Sequence, residues 1–277
     1  MRGIELMRFE AEHVDAAATL LAERHARHRR AEPLLPERFE EPAAAREEIE
    51  ALLGADGASG AAAVAGGALV GYLLGVPRAD VETWGPNVWV DPAGHAASEP
   101  ELVRDLYGAA AAPWVEAGLT RHYALVPAEP ALVAAWFRVG FGQQHACGIQ
   151  ETSTPTRAPA PAGSVVVREA AESDVEDLLE LAPLLNEHQA RAPVFSAGPP
   201  LEPEDELRAE FLADLADPSI GTFVAEIDGR IVSAFVVCPV ELSSTHSGLV
   251  RPPGAALLAW AASRPERRGG GAGLALT

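Results

Sequence analysis

The sequence predicts an α/β protein built as two tandem copies of one mixed-sheet domain. Three observations carry this expectation. The order strand, helix, helix, hairpin occurs twice, and Leu69-Val70 and Ile231-Val232 sit at matching points of the two hairpins, 162 residues apart. Between the copies runs "ETSTPTRAPAPAGS", residues 151–164, a Pro-, Thr- and Ala-rich stretch without apolar periodicity that reads as a linker. The chain has 277 residues, of which 48% are hydrophobic and 22% charged, enough to pack two cores and too apolar for global disorder. The expected division is a first domain over 1–150, the linker, and a second domain over 165–277.

Each element follows from local chemistry. In the first copy "IELMRF" is an apolar strand, and "EHVDAAATLLAERHARHRR" follows as a helix. "PAAAREEIEALLG" is the second helix, with Pro42 at its start and Gly54 at its end. "AAVAGGALVGYLLG" folds back at Gly66-Gly67. In the second copy "VVVREA" is the strand and "ESDVEDLLELAPLL" the helix, where Ser173 and Glu176 have capping-box spacing. Leu207, Phe211, Leu212 and Leu215 recur at helical spacing, and "TFVAEIDGRIVSAFVV" turns at Asp228-Gly229, a type I′ dipeptide.

Composition excludes several classes of function. The formal net charge is −19 and all 21 basic residues are Arg, so an electrostatic footprint for nucleic acid is missing. The two cysteines, Cys147 and Cys238, have no paired-ligand spacing, which argues against a disulfide framework or a metal site. "MRGIELMRFE" lacks the apolar core of a signal peptide, and "GAALLAWAAS" is too short to span a bilayer. A cytoplasmic protein without a membrane or nucleic-acid partner is expected.

The chemistry concentrates near residue 270. "AALLAWAAS", Ala255 to Ser263, offers a strand, although its alanines and leucines also suit a helix. It leads into Pro265 and Arg268-Gly269-Gly270-Gly271-Ala272-Gly273, and "LALT" reads as the first turn of a helix. Glycines let successive N–H groups converge on an anion, and a helix start adds unpaired donors, which together favour a pyrophosphate. No Gly-Lys-Ser/Thr occurs, and the spacing fails G-x-G-x-x-G, so neither a P-loop nor a dinucleotide fingerprint is present.

"PERRGGGAG" resembles the acetyl-CoA loop of the GCN5-related N-acetyltransferases, whose signature is Gln/Arg-x-x-Gly-x-Gly/Ala; Arg268, Gly271 and Gly273 fill it, and the strand–helix–helix–hairpin order is that family's. The resemblance implies acyl-CoA N-acyltransferase-like domains, with acetyl-CoA as co-substrate and a small-molecule or peptide amine as acceptor. It implies that the amides of Arg268, Gly269, Gly270, Gly271, Ala272 and Gly273 bind the pyrophosphate. The backbones of Ala261, Ala262 and Ser263 would hold the pantetheine arm, and Arg264 and Arg267 would add positive charge.

By the same resemblance "NVWVDP", "ELVRDLYGAAAAPWVEAG", "RHYALVPA" and "ALVAAWFRVGFG" supply the fourth strand, third helix, fifth strand and last helix of the first domain. Matching Pro92 with Pro265 leaves "AGHAASEP" for its loop, with Pro100, which has no N–H, in place of Gly273. Trp136-Phe137 stands where the family commonly carries an acidic Tyr. The first domain is therefore expected to be degenerate, with His95 an inconsequential loop residue. Only four residues follow Gly273, so the second domain is expected to be truncated. No catalytic residue is assigned; Glu226, Glu241 and His246 are the candidates for a general base, and Cys238 reads as a structural thiol. The alternatives are a non-catalytic tandem module that binds coenzyme A, and an adenine-nucleotide binder using the same turn.

Overall fold

A computed structural model describes residues 3–78, 85–152, 165–191, 203–243 and 246–276. The chain divides into two compact units, Met1–Ile149 with Thr245–Pro253, and Gln150–Ser244 with Gly254–Thr277. The expected linker falls outside the described residues from 153 to 164.

The first unit runs β1 (Ile4–Arg8), α1 (Val14–Ala31), α2 (Pro42–Leu53), β2 (Ser59–Ala65), β3 (Ala68–Arg78), β4 (Asn87–Val90), β5 (His95–Ala97), α3 (Leu102–Glu116), β6 (His122–Ala124) and α4 (Pro130–Arg138). Its sheet has the order β1-β2-β3-β4-β6, with β5 also paired to β3. Only the β4–β6 pair is parallel, so the sheet is mixed. Strand side chains alternate between its faces. Ala62, Tyr72 and Leu74 join Leu21 and Ile49 from α1 and α2 in one cluster, whereas Ala61, Ala63 and Leu73 join Leu106 and Trp136 from α3 and α4 in the other.

The second unit runs β7 (Val165–Glu169), α5 (Val175–Leu181), α6 (Pro183–Arg191), α7 (Glu204–Ala216), β8 (Gly221–Ile227), β9 (Arg230–Pro239), β10 (Ala256–Ser263) and α8 (Ala272–Leu276). Its sheet is antiparallel throughout, in the order β10-β9-β8-β7. The hairpin turns at Asp228 (φ 54°) and Gly229 (φ 72°), the left-handed pair a type I′ turn requires. Leu178, Phe211 and Val224 pack on one face of this sheet, and Ala225, Val232, Ala272 and Leu276 on the other.

The two units share features of hydrogen-bond register. Phe9 N–H donates to Gly60 O at 3.1 Å, and Ala170 N–H to Thr222 O at 2.8 Å. Both hairpins carry an irregularity at the same point, between Ala63 and Val64 in one and between Ala225 and Glu226 in the other.

Three expectations are corrected here. The capping pair is not Ser173 with Glu176. A 3-10 turn over Glu172–Asp174 starts the helix earlier, so the Asp174 carboxylate accepts from Ala171 N–H at 2.8 Å, while Glu176 pairs with Arg208 at 2.5 Å. His95 is no surface-loop residue: it lies on β5 and is 3% exposed. The segment Thr245–Pro253, numbered with the second copy, belongs to the first unit, where Leu249 is fully buried among residues that include Phe39 and Ile49.

Candidate functional site

The strand leading to the glycine loop settles the helix-or-strand ambiguity: Ala256–Ser263 is β10, paired only to β9 among the described strands. Its register fixes which backbone groups are free. Arg264 N–H donates to Val232 O at 2.9 Å, so Arg264 and Val232 form a hydrogen-bonded pair. In an antiparallel ladder such pairs alternate with non-bonded ones, which makes Ala262 with Ala234 the next bonded pair. The N–H and C=O groups of Ala261 and Ser263 therefore point away from β9, toward the outer edge of the sheet. The register shifts between Leu258 and Trp260, placing a β-bulge one turn of the pleat upstream.

Beyond Ser263 a 3-10 turn over Pro265–Arg267 leads to the glycines. Gly269 (φ 78°) and Gly271 (φ 83°) both adopt the left-handed region, closed to most side chains. Arg268 N–H bonds to Pro265 O, and Gly270 N–H to Arg267 O, both at 3.3 Å. Those two amides stabilise the turn. The amides of Gly269, Gly271, Ala272 and Gly273 have no acceptor among the described residues. A Cβ on Gly273 would make only ordinary contact with Ser263 Oγ, at 3.8 Å.

A cavity of about 350 Å³ joins these groups. Ala261, Ala262, Ser263, Arg268 and Gly273 line it, while Gly269, Gly270, Gly271 and Ala272 shape the turn beside it. Ser233, 2% exposed, also reaches it. Its hydroxyl donates to Ala262 O at 2.9 Å, so the 2.7 Å contact with Ser263 has Ser263 as donor. The remaining lone pairs of Ser263 Oγ are left to accept from a ligand N–H.

Arg268 and Arg267 are exposed and make no ion pair among the described residues. Arg264 behaves otherwise than expected. It donates to Ile231 O at 2.9 Å and pairs with Asp177 at 3.0 Å and Glu180 at 2.7 Å, which raises its pKa and spends its charge.

The base candidates disperse. Glu226 pairs with Arg168 at 2.6 Å, and the same guanidinium holds Asp174 at 2.6 Å, keeping that carboxyl below its ordinary range. Glu241 lines a second hollow with Cys238, whose thiol is raised in pKa by burial and by Asp214. His246 lies in the segment belonging to the first unit, and burial followed by the Arg251 charge lowers its pKa. None of the three lines the cavity. His188 does, together with Leu184 and Leu185. Sequence reading passed over it, although i, i+3, i+4 spacing sets Leu184, Leu185 and His188 on one helix face. Ser233 had no such signal, because only strand register brings it beside Ser263.

The first unit shows what a closed version of this site looks like. Gly71 pairs with Ala97 as Ser233 pairs with Ser263, and Ser98 N–H donates to Val70 O at 2.9 Å as Arg264 does to Val232. The loop equivalent to 264–271 is therefore Ser98–Glu101, not the stretch after Pro92. The matching of Pro92 with Pro265 fails because β4 and β5 are separated by a 3-10 turn that adds residues before the loop. The true loop is shorter and carries Glu99 and Glu101. His95 stands where Ala261 stands, and its outward carbonyl accepts from Arg24 Nη1 at 2.6 Å. Its ring nitrogen Nε2 contacts Leu125 O at 2.9 Å. Burial, reinforced by the Arg24 charge, pushes the His95 pKa down to about 3. Edge groups that are open on β10 are consumed here by the protein itself.

Among the described residues no helix is long and apolar enough to cross a membrane, and no cluster of potential metal ligands occurs.

No family model and no curated protein matches the chain. Several of the solved structures similar to it are described as acetyltransferases, and one, from Bacillus halodurans, as a transcriptional regulator. A GCN5-related N-acetyltransferase from Ralstonia eutropha JMP134 is 13% identical, with 56% of this chain and 100% of that one covered at a TM-score of 0.40. A ribosomal-protein-alanine N-acetyltransferase from Brucella melitensis is 16% identical, with coverages of 54% and 99% and a TM-score of 0.38. A protein of Clostridium acetobutylicum, described as a predicted acetyltransferase and determined with acetyl-CoA, is 17% identical, with coverages of 41% and 68% and a TM-score of 0.30.

Proposed function

We propose that the second unit binds acetyl-CoA and transfers its acetyl group to a primary amine, within a tandem pair of N-acetyltransferase-like domains whose first member is closed. The observation that carries this reading is the continuity of β10 with the glycine loop. Among the described residues an open strand edge at Ala261 and Ser263 runs directly into a turn with free amides and an unpaired Arg268. Pantetheine is a chain of two amides, so it pairs with a strand edge as a peptide does. A pyrophosphate suits the amides of Gly269, Gly271, Ala272 and Gly273 and the Arg268 charge.

With the cofactor so held, a neutral amine attacks the thioester carbonyl, and strand N–H donors near the bulge stabilise the developing oxyanion. The C–N bond forms, the C–S bond breaks, and the thiolate leaves as coenzyme A once protonated. The first unit contributes no cofactor site, because Pro100 in its short loop has no N–H to offer a phosphate and Arg24 occupies its strand edge.

The test is release of free thiol from acetyl-CoA, measured against a panel comprising a polyamine, an aminoglycoside and a peptide N-terminus. Acceptor-dependent thiol release supports the reading. Saturable acetyl-CoA binding with no release on any amine favours the non-catalytic alternative. Equal competition by ATP would favour an adenine-nucleotide binder instead.

A further inference from the structure

From the wall of the cavity we infer that His188 is the catalytic base that takes the proton from the acceptor ammonium, an inference that rests on the acetyltransferase reading. A primary amine is protonated near neutral pH and attacks only after losing a proton. The group that removes it must share the cavity with the strand edge that holds the thioester. Among the described residues two ionisable side chains line that cavity, Arg268 and His188. Arg268 cannot serve, since a guanidinium stays protonated. An imidazole, unlike a guanidinium, has in its neutral form a ring nitrogen that can accept a proton.

The placement fits the role. His188 stands on α6, whose other cavity residues, Leu184 and Leu185, are apolar, so the acceptor's carbon skeleton meets Leu side chains beside the imidazole. From β9 and β10 the cavity receives only neutral groups, including Ser233, Ser263 and Leu258. On the histidine's own helix the charges are Glu187 and Arg191, which pair with each other at 3.5 Å. The charged residues of α5 are tied up elsewhere, Asp177 and Glu180 on Arg264, and Glu176 on Arg208.

The balance closes without another reagent. The ammonium proton passes to neutral His188, the free amine forms the C–N bond, and the tetrahedral species expels the thiolate. The second N–H proton of the attacking nitrogen goes to that thiolate, and imidazolium releases its proton to water. The net products are the acetamide, coenzyme A and one proton.

The test compares wild type with His188→Gln, and with His188→Ala plus added imidazole, using the best amine of the panel. We expect kcat to fall about 10²-fold or more in His188→Gln, with the Kd for acetyl-CoA unchanged. The acid limb of log kcat/KM against pH should vanish, and imidazole should restore part of the rate to His188→Ala. Unchanged kcat with the acid limb intact would overturn the role of His188 while leaving the acetyltransferase reading standing. A rise in KM alone, with the limb retained, would also overturn it, making His188 a binding contact. If wild type releases no coenzyme A on any amine, both readings fall together.

Discussion

Two proline substitutions at adjacent positions of β10 should have opposite consequences. Proline removes the backbone N–H and fills its place with a ring methylene. At Ala262 the N–H belongs to the ladder with Ala234, and the residue is 9% exposed. Ala262→Pro leaves the Ala234 carbonyl unpaired in the core, a loss of about 1–3 kcal/mol before any steric displacement. At Ala261 the N–H points out of the sheet and no ladder bond is lost, as edge strands tolerate. Ala261→Pro should therefore cost less than about 1 kcal/mol of stability.

Ligand binding reverses the order for the folded variants. An outward amide donating to pantetheine contributes about 0.5–1.5 kcal/mol, roughly 2- to 12-fold in Kd, and the ring adds a steric block. Urea unfolding, read as a change in midpoint at constant slope, measures the first effect, and calorimetric titration with acetyl-CoA measures the second. Equal destabilisation by both prolines would refute the register deduced from Arg264 and Val232. An unchanged acetyl-CoA Kd in Ala261→Pro would refute the open edge as the pantetheine site.

Other perturbations separate folding from function. Arg268→Glu, at an exposed residue without an ion pair, should leave stability within about 0.5 kcal/mol while raising the acetyl-CoA Kd at least tenfold and flattening its salt dependence; a stability loss without an affinity change would point to a structural arginine. Leu249→Ala should cost about 2–5 kcal/mol in urea unfolding, because that side chain is fully buried in the first unit's core; a cost below 1 kcal/mol would mean residues 245–253 are not embedded there. His95 should make the protein acid-sensitive. Its folded pKa lies at about 3, below the ordinary 6.5, so the unfolded chain binds the extra proton between those values. Stability should then fall by about 1.4 kcal/mol per pH unit as pH drops below 6.5, and His95→Gln should lose that slope. Parallel curves for the two proteins would show that His95 titrates normally.

Elements were legible in the sequence wherever local chemistry decides them. Pro42 and Gly54 bracket a helix whichever residues it packs against, and Asp228-Gly229 makes a tight turn in almost any hairpin. Alternation along "TFVAEIDGRIVSAFVV" was enough to mark the strands, and the glycine loop announced itself by composition. What stayed hidden depends on pairing. The irregular step between β4 and β5 moves the first unit's loop from Pro92 to Ser98, and no local signal in "AGHAASEP" measures that shift. His95 is buried beside Arg24, which donates to its carbonyl from 71 residues away. Likewise Leu249 sits in an apolar core far from it in sequence, and "THSGLV" alone gives no hint of the destination. The charge of Arg264 was misjudged for the same reason, since Asp177 and Glu180 lie more than 80 residues upstream.

The most direct test of the cofactor site is an amide-resolved NMR titration of the full chain with acetyl-CoA. The site proposed for the second unit requires saturable shifts at Ala261, Ser263, Gly269, Gly271 and Gly273, with Ser98 to Glu101 unmoved. Saturation without change at those five amides, or shifts centred on residues 95–101, would contradict it.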